Sequence, residues 1–218
     1  MGFGFLLIGY LTMVEVGIRT SELGNIGFEV FPDVIGYVFF LLALRKLKPY
    51  SNGFKIAHAL SFVLIPLGAV KFIAQFISLL DKYTSLSLGE KGMTVLINLL
   101  SGCELSKVIL LTVFNIFLFA GIKKLSSEVD LPKIVTRSVI ALIINLLYFS
   151  LRISAYVFPL SESQAAFIYY SYNILWYALI LFTVFLIFGC YMYICYEGEE
   201  EIVVPESKLS KLFNKRNE

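Results

Sequence analysis

Long apolar stretches fill most of the chain between Phe3 and Tyr196, and the gaps between them are short and polar. About 20 mostly apolar residues are needed for a helix to cross the hydrocarbon core of a membrane. The pattern predicts six such helices, over Phe3–Ile18, Phe31–Leu47, Phe54–Leu80, Met93–Ile122, Leu131–Pro159 and Gln164–Tyr196. The first two are short, and the second opens with Pro32, which suits a first helical turn. The third contains Pro66, where a kink is expected. The fourth is interrupted by Ser101-Gly102-Cys103-Glu104, the fifth begins at Pro132, and the sixth is long enough to tilt or project beyond the bilayer. Residues 1–196 thus read as a transmembrane domain, and residues 197–218 as a charged tail. Its last part, Lys208 to Lys215, is weakly amphipathic and either rests on an anionic leaflet or is a solvated terminus.

Composition agrees. The 218 residues are 58% hydrophobic and 16% charged, with a mean hydropathy of +0.82, whereas a soluble domain carries about a quarter charged residues. Too little polar surface remains to clothe a water-soluble globule, so lipid is the expected solvent. The first basic residue is Arg19, so the cationic start of a signal peptide is missing and the first helix is expected to be retained. Cys103, Cys190 and Cys195 all fall in apolar stretches and form neither a disulfide framework nor a metal motif.

The basic residues give direction. Arg45, Lys46, Lys48 and Lys55 lie between the second and third stretches, and Lys123, Lys124, Lys133 and Arg137 between the fourth and fifth. Lys208, Lys211, Lys215 and Arg216 follow the sixth, making twelve of eighteen on one side, against Arg19, Lys82 and Lys91 on the other. The positive-inside bias places both termini in the cytoplasm. The expected architecture is an all-α bundle of six transmembrane helices, N-in and C-in. Because the basic residues are accounted for as topology signals, no nucleic-acid partner is expected.

Lys71, Lys107 and Arg152 remain, each inside an apolar stretch, with the acids Glu15 and Glu104 also inside and Asp33 at a helix mouth. A charge at mid-bilayer costs about 2.5–3.5 kcal/mol on insertion scales, so such residues face a partner or a cavity. Counted along the helices, all six fall in the middle or outer half of the bilayer. Helical spacing gathers further polar residues into stripes: Ser138, Asn145, Arg152 and Tyr156; Lys71, Gln75 and Ser78; Thr94, Asn98, Ser101 and Glu104, continued by Thr112 and Asn115; Tyr169, Tyr172, Asn173, Trp176 and Thr183; and Thr12, Glu15 and Arg19. Such faces are expected to point into the bundle. In one reading the three acids neutralise the three bases as structural ion pairs. In the other, an outward-opening cavity lined by Arg152, Lys71, Glu104, Lys107, Glu15, Asp33, Asn145, Tyr156, Asn173 and Trp176 binds a small polar solute. The expected partners are the bilayer, that solute and other membrane subunits.

Catalytic signatures are missing. His58, the lone histidine, cannot make a His-Glu-x-x-His site, and no Walker, dinucleotide or potassium-filter motif is present. The chain is read as a non-enzyme without cofactor or metal. Pro32-Asp33-Val34-Ile35-Gly36-Tyr37, after a first helix bearing Gly9-Tyr10-Leu11, resembles small, functionally uncharacterised membrane proteins of Gram-positive bacteria over about the first 60 residues. That resemblance implies a bacterial plasma-membrane protein and no particular activity. Physically, Asp33 suits the positive end of a helix and Gly36 permits a close neighbour. By architecture the chain also resembles the substrate-capture subunits of energy-coupling-factor transporters, although their alanine-spaced first-helix motif is not visible here.

Overall fold

The computed structural model describes residues 2–14, 17–18, 28–29, 32–83, 89–158 and 161–194, and over these the chain is helical apart from one short strand pair. Six helices follow one another: α1 (Phe3–Thr12), α2 (Asp33–Leu47), α3 (Asn52–Tyr83), α4 (Gly89–Glu128), α5 (Pro132–Val157) and α6 (Glu162–Ile194). Between α1 and α2, β1 (Gly17–Ile18) pairs antiparallel with β2 (Phe28–Glu29), with Gly17 opposite Glu29 and Ile18 opposite Phe28. Four segments are long and apolar enough to cross a membrane: Asn52–Asp81, Lys91–Glu128, Pro132–Val157 and Ala166–Ile194.

The first helix is shorter than the apolar run predicts, ending at Thr12 rather than Ile18. The run continues through Val14, Val16 and Ile18, β-branched residues that favour extended backbone, and Ile18 lies in the strand pair. Pro32 is likewise not within the first turn of α2. It precedes the helix in extended conformation, so Asp33 is the first helical residue. The polar patch from Ser101 to Glu104 does not interrupt α4, and α3 runs through Pro66.

Local chemistry sets the other boundaries. The Ser51 hydroxyl oxygen accepts the Gly53 N–H at 3.2 Å, capping the start of α3. At the end of α4, Asp130 takes a left-handed φ of 55°, and the Leu131 N–H reaches back to the Ser126 carbonyl at 2.9 Å. This wraps the last carbonyls of α4. Pro132 then opens α5, where its missing N–H has no helical partner to lose.

Each helix packs on its sequence neighbours, and α1 packs on α6, which closes the six into a ring; β2 leans on α3. The stacked rings of Phe40 (α2) and Phe114 (α4), 5.0 Å apart, bridge the middle, with Tyr10 tilted on Phe40 at 4.8 Å. The polarity of α5 is inverted relative to a soluble helix. Ser138, Ala141, Asn145 and Tyr148 face inward, while Ile140, Ile143, Leu146 and Leu147 are exposed. On α6, Phe167, Ile174, Leu181 and Phe185 are exposed as well. An apolar outside around a polar inside is what a lipid solvent selects.

Two pairs of glycines set helix spacing. A β-carbon on Gly36 would lie 3.0 Å from the Gly9 carbonyl oxygen, so α1 and α2 touch backbone to backbone, as the sequence anticipates for Gly36. A β-carbon on Gly53 (α3) would lie 2.5 Å from the Phe117 carbonyl oxygen and 2.9 Å from the Gly121 nitrogen (α4). Backbone cannot yield as a flexible side chain can. Gly53→Ala is therefore expected to separate α3 from α4 and destabilise the fold by about 1–3 kcal/mol. Thermal unfolding in detergent checks this, and an unchanged midpoint would contradict the contact. The Gly53–Gly121 contact also shows that Lys55 and Lys123 lie at the same end of the bundle as the α2 terminus with Arg45 and Lys46, because Ser51 joins α2 to α3.

Candidate functional site

The interior charges assemble away from that basic end. Asp33 opens α2, Lys71 projects from α3, and Glu104 and Lys107, one turn apart, project from α4. Asp33 Oδ2 lies 2.7 Å from Lys107 Nζ and 3.2 Å from Lys71 Nζ, and Lys71 Nζ lies 2.5 Å from Glu104 Oε1. Two acids and two bases thus form one chain of ion pairs with Asp33 at its hub. Asp33 is 3% exposed and both lysines are buried, whereas the Glu104 side chain keeps 29% exposure. Gln75 and Ser78 continue the Lys71 face of α3 and are buried, as the stripe predicts.

Arg152 is treated differently. Among the described residues no carboxylate pairs with it, and its Nε is buried without a hydrogen-bond partner. Tyrosine rings surround it instead: its Cζ lies 4.2 Å from the ring centroid of Tyr172 (α6) and 5.6 Å from that of Tyr156. One turn further along each helix, Tyr148 (α5) and Trp176 (α6) stack at 5.2 Å with ring planes 34° apart. Tyr169 meets Tyr172 edge-on at 5.3 Å. The indole Nε1 of Trp176 is buried in this layer and also has no partner. Glu104 is close enough for its charge to reach Arg152, so α4 connects the ion-pair chain to the aromatic layer.

The predicted site residues therefore divide. Asp33, Lys71, Glu104 and Lys107 come together, and Arg152 and Trp176 form the second group, with Tyr156 at its 44% exposed edge. Asn145 belongs to neither. Its amide donates to the Thr112 carbonyl at 3.2 Å and its oxygen accepts from Asn115 at 3.0 Å, while Asn115 accepts the Tyr10 hydroxyl. This buried network ties α1, α4 and α5 about 10 Å below Arg152 at 1.5 Å per residue. The Asn173 amide donates to the Tyr169 carbonyl of its own helix at 2.7 Å. Thr94, Asn98 and Ser101 do not face inward but are exposed. Glu15, Arg19 and the tail lie outside the described residues.

Tyr148, Tyr172, Tyr10 and Asn115 are the contributors absent from the predicted site. Tyr148 lies four residues before Arg152 and three after Asn145, so the polar stripe of α5 already passes through it. Tyr10 carried no such signal, since its partner is 105 residues away. His58 packs edge-on against Phe62 at 5.2 Å. Among the described residues, no group of three or more His, Cys, Asp or Glu is placed to hold a metal ion.

Among the described residues the arrangement is thus a chain of ion pairs beside a guanidinium that is set among aromatic rings and paired with no carboxylate. No protein-family model, curated protein or solved structure matches this chain.

Proposed function

We propose that this chain is a six-span membrane protein with both termini cytoplasmic, acting in a bacterial plasma membrane as a small-solute binding or transport component whose site opens toward the outer half of the bilayer. The observation that carries the proposal is Arg152. Both interior lysines have carboxylates, while the guanidinium has rings and a buried, unpartnered Nε. A cation kept at membrane depth with no carboxylate paired to it among the described residues is costly, and such residues mark ligand or ion pathways.

Depth supports the outward direction. Along the helix axes, Lys71 is 16 residues from Lys55, Lys107 is 16 from Lys123, Arg152 is 15 from Arg137 and Asp33 is 12 from Arg45. At about 1.5 Å per residue these are rises of roughly 18–24 Å above the basic end, in a core about 30 Å thick. With the basic end cytoplasmic, all four charges lie in the outer half. A reporter fused after Glu218 is expected to be active only if it is of a type that works in the cytoplasm. Activity of an exported reporter such as alkaline phosphatase at that position would contradict the orientation.

A second reading has its own support, since the chain of ion pairs joining α2, α3 and α4 is internally satisfied and suits a membrane assembly or regulatory partner. Deleting Glu197–Glu218 separates the two. Under the solute reading, binding by the purified protein is unchanged by the deletion. Loss of recovered partner subunits, with solute handling intact or never detected, favours assembly.

A further inference from the structure

We propose that the layer between α5 and α6 receives a small organic oxyanion with a flat, apolar body, of which benzoate is the simplest example. This names the ligand class of the solute site proposed above and rests on that reading.

The two unsatisfied groups in the layer are both pure donors. A guanidinium has N–H groups and no acceptor, and an indole has a single N–H. Arg152 Nε and Trp176 Nε1 are buried without partners, and Trp176 is 6% exposed. Donors lacking acceptors select a ligand that brings oxygens. Charge narrows the choice further. Among the described residues, Lys71 and Lys107 each have a carboxylate within ion-pair distance and Arg152 has none. A monoanion supplies the oxygens that both donors lack, whereas a cation would be repelled by Arg152.

Geometry supplies the shape. Tyr172 lies 4.2 Å from the guanidinium carbon, within cation–π range, and the unpartnered Nε is the donor to which an oxyanion would bind. One turn away, the buried Tyr148 and Trp176 rings, tilted on each other, give the layer an aromatic lining that suits a flat apolar remainder. Tyr156 and the side chain of Glu104, both partly exposed, stand at the side from which a solute arrives. Glu104 also competes: its negative charge reaches Arg152 and opposes an incoming anion.

Trp176 is the only tryptophan in the chain, so its emission reports on this layer alone. The full-length protein in phosphatidylcholine nanodiscs would be titrated with benzoate, benzamide, benzylammonium and inorganic phosphate. The expected result is a saturable change with benzoate and none with benzamide or benzylammonium. Arg152→Gln should weaken benzoate at least about tenfold, the loss of a charged hydrogen bond, and Glu104→Gln should tighten it. Arg152→Lys, which keeps the charge but not the fork, should fall between. Unchanged emission of the ligand-free variants shows that they are folded. A response to benzamide or benzylammonium equal to that of benzoate overturns the oxyanion class while leaving a solute site in place. A response to phosphate alone overturns the flat body. Silence toward all four probes overturns the proposal, and the solute reading then rests on the comparison with the tail deletion. If adding phosphatidylglycerol to the nanodiscs shifts the emission and abolishes benzoate titration, the oxyanion is a lipid headgroup, and the free-solute assignment is overturned.

Discussion

Asp33→Ala is expected to be the most damaging single substitution in the protein. Asp33 is the hub between Lys107 at 2.7 Å and Lys71 at 3.2 Å, and all three side chains are buried. Removing one partner of a buried pair strands the other charge and costs about 3–5 kcal/mol. Folded proteins hold only about 5–15 kcal/mol in total. The variant should accumulate poorly in membranes and unfold at a much lower temperature in detergent. The pair is replaceable even though the single residue is not. In Asp33→Leu with Lys107→Met, Lys71 keeps Glu104 at 2.5 Å and the Asp33–Lys107 pair is removed as a unit, so much of the loss should be recovered. If the double variant is as unstable as Asp33→Ala, the damage comes from something other than stranded charge.

Arg152→Leu should do the opposite. Holding a cation within the membrane costs about 2.5–3.5 kcal/mol, and contact with tyrosine rings returns about 0.5–2 kcal/mol. The first figure exceeds the second, and no carboxylate among the described residues makes up the difference. The ligand-free variant is therefore expected to be about 1 kcal/mol more stable than the parent, with its melting temperature raised, while solute binding disappears. Gain of stability with loss of binding is the signature of a residue retained for function. A marked fall in stability would instead assign Arg152 to the structural framework.

These two charges also show how far the sequence can be read. Both stand out as ionisable residues in apolar runs, and spacing alone places Ser138 and Asn145 on the inner face of α5 and Tyr172, Trp176 and Thr183 on that of α6. Which charge pairs with which is invisible, because pairing depends on how helices far apart in the chain are rotated against each other. Thr94 is a sharper case. It lies five helical turns from Thr112 and so has nearly the same azimuth, yet Thr112 is buried and Thr94 exposed. The direction was legible. The missing information was the length of the neighbour: α4 has 40 residues and α5 only 26, so the start of α4 has no α5 beside it. The early end of α1 was hidden for a related reason. Hydropathy does not distinguish helix from strand, and the pairing of Ile18 with Phe28 depends on a segment ten residues further on.

The shortness of α1 and α2 has a consequence for the lipid around the ring. With 10 and 15 residues they present about 15 and 22 Å of helix, against a hydrocarbon thickness of about 30 Å, while α3 and α6 on either side have 32 and 33 residues. Under the six-span proposal, the belt that the described helices present is uneven around the ring, and the protein would act as a wedge in its membrane. Lipids beside the short wall must thin to meet it, at a cost of a fraction of a kcal/mol per ångström of mismatch. On that proposal, acyl-chain length is expected to act as a control on this protein, with short-chain bilayers relieving the α1–α2 side and thick ones straining the wall that holds Asp33.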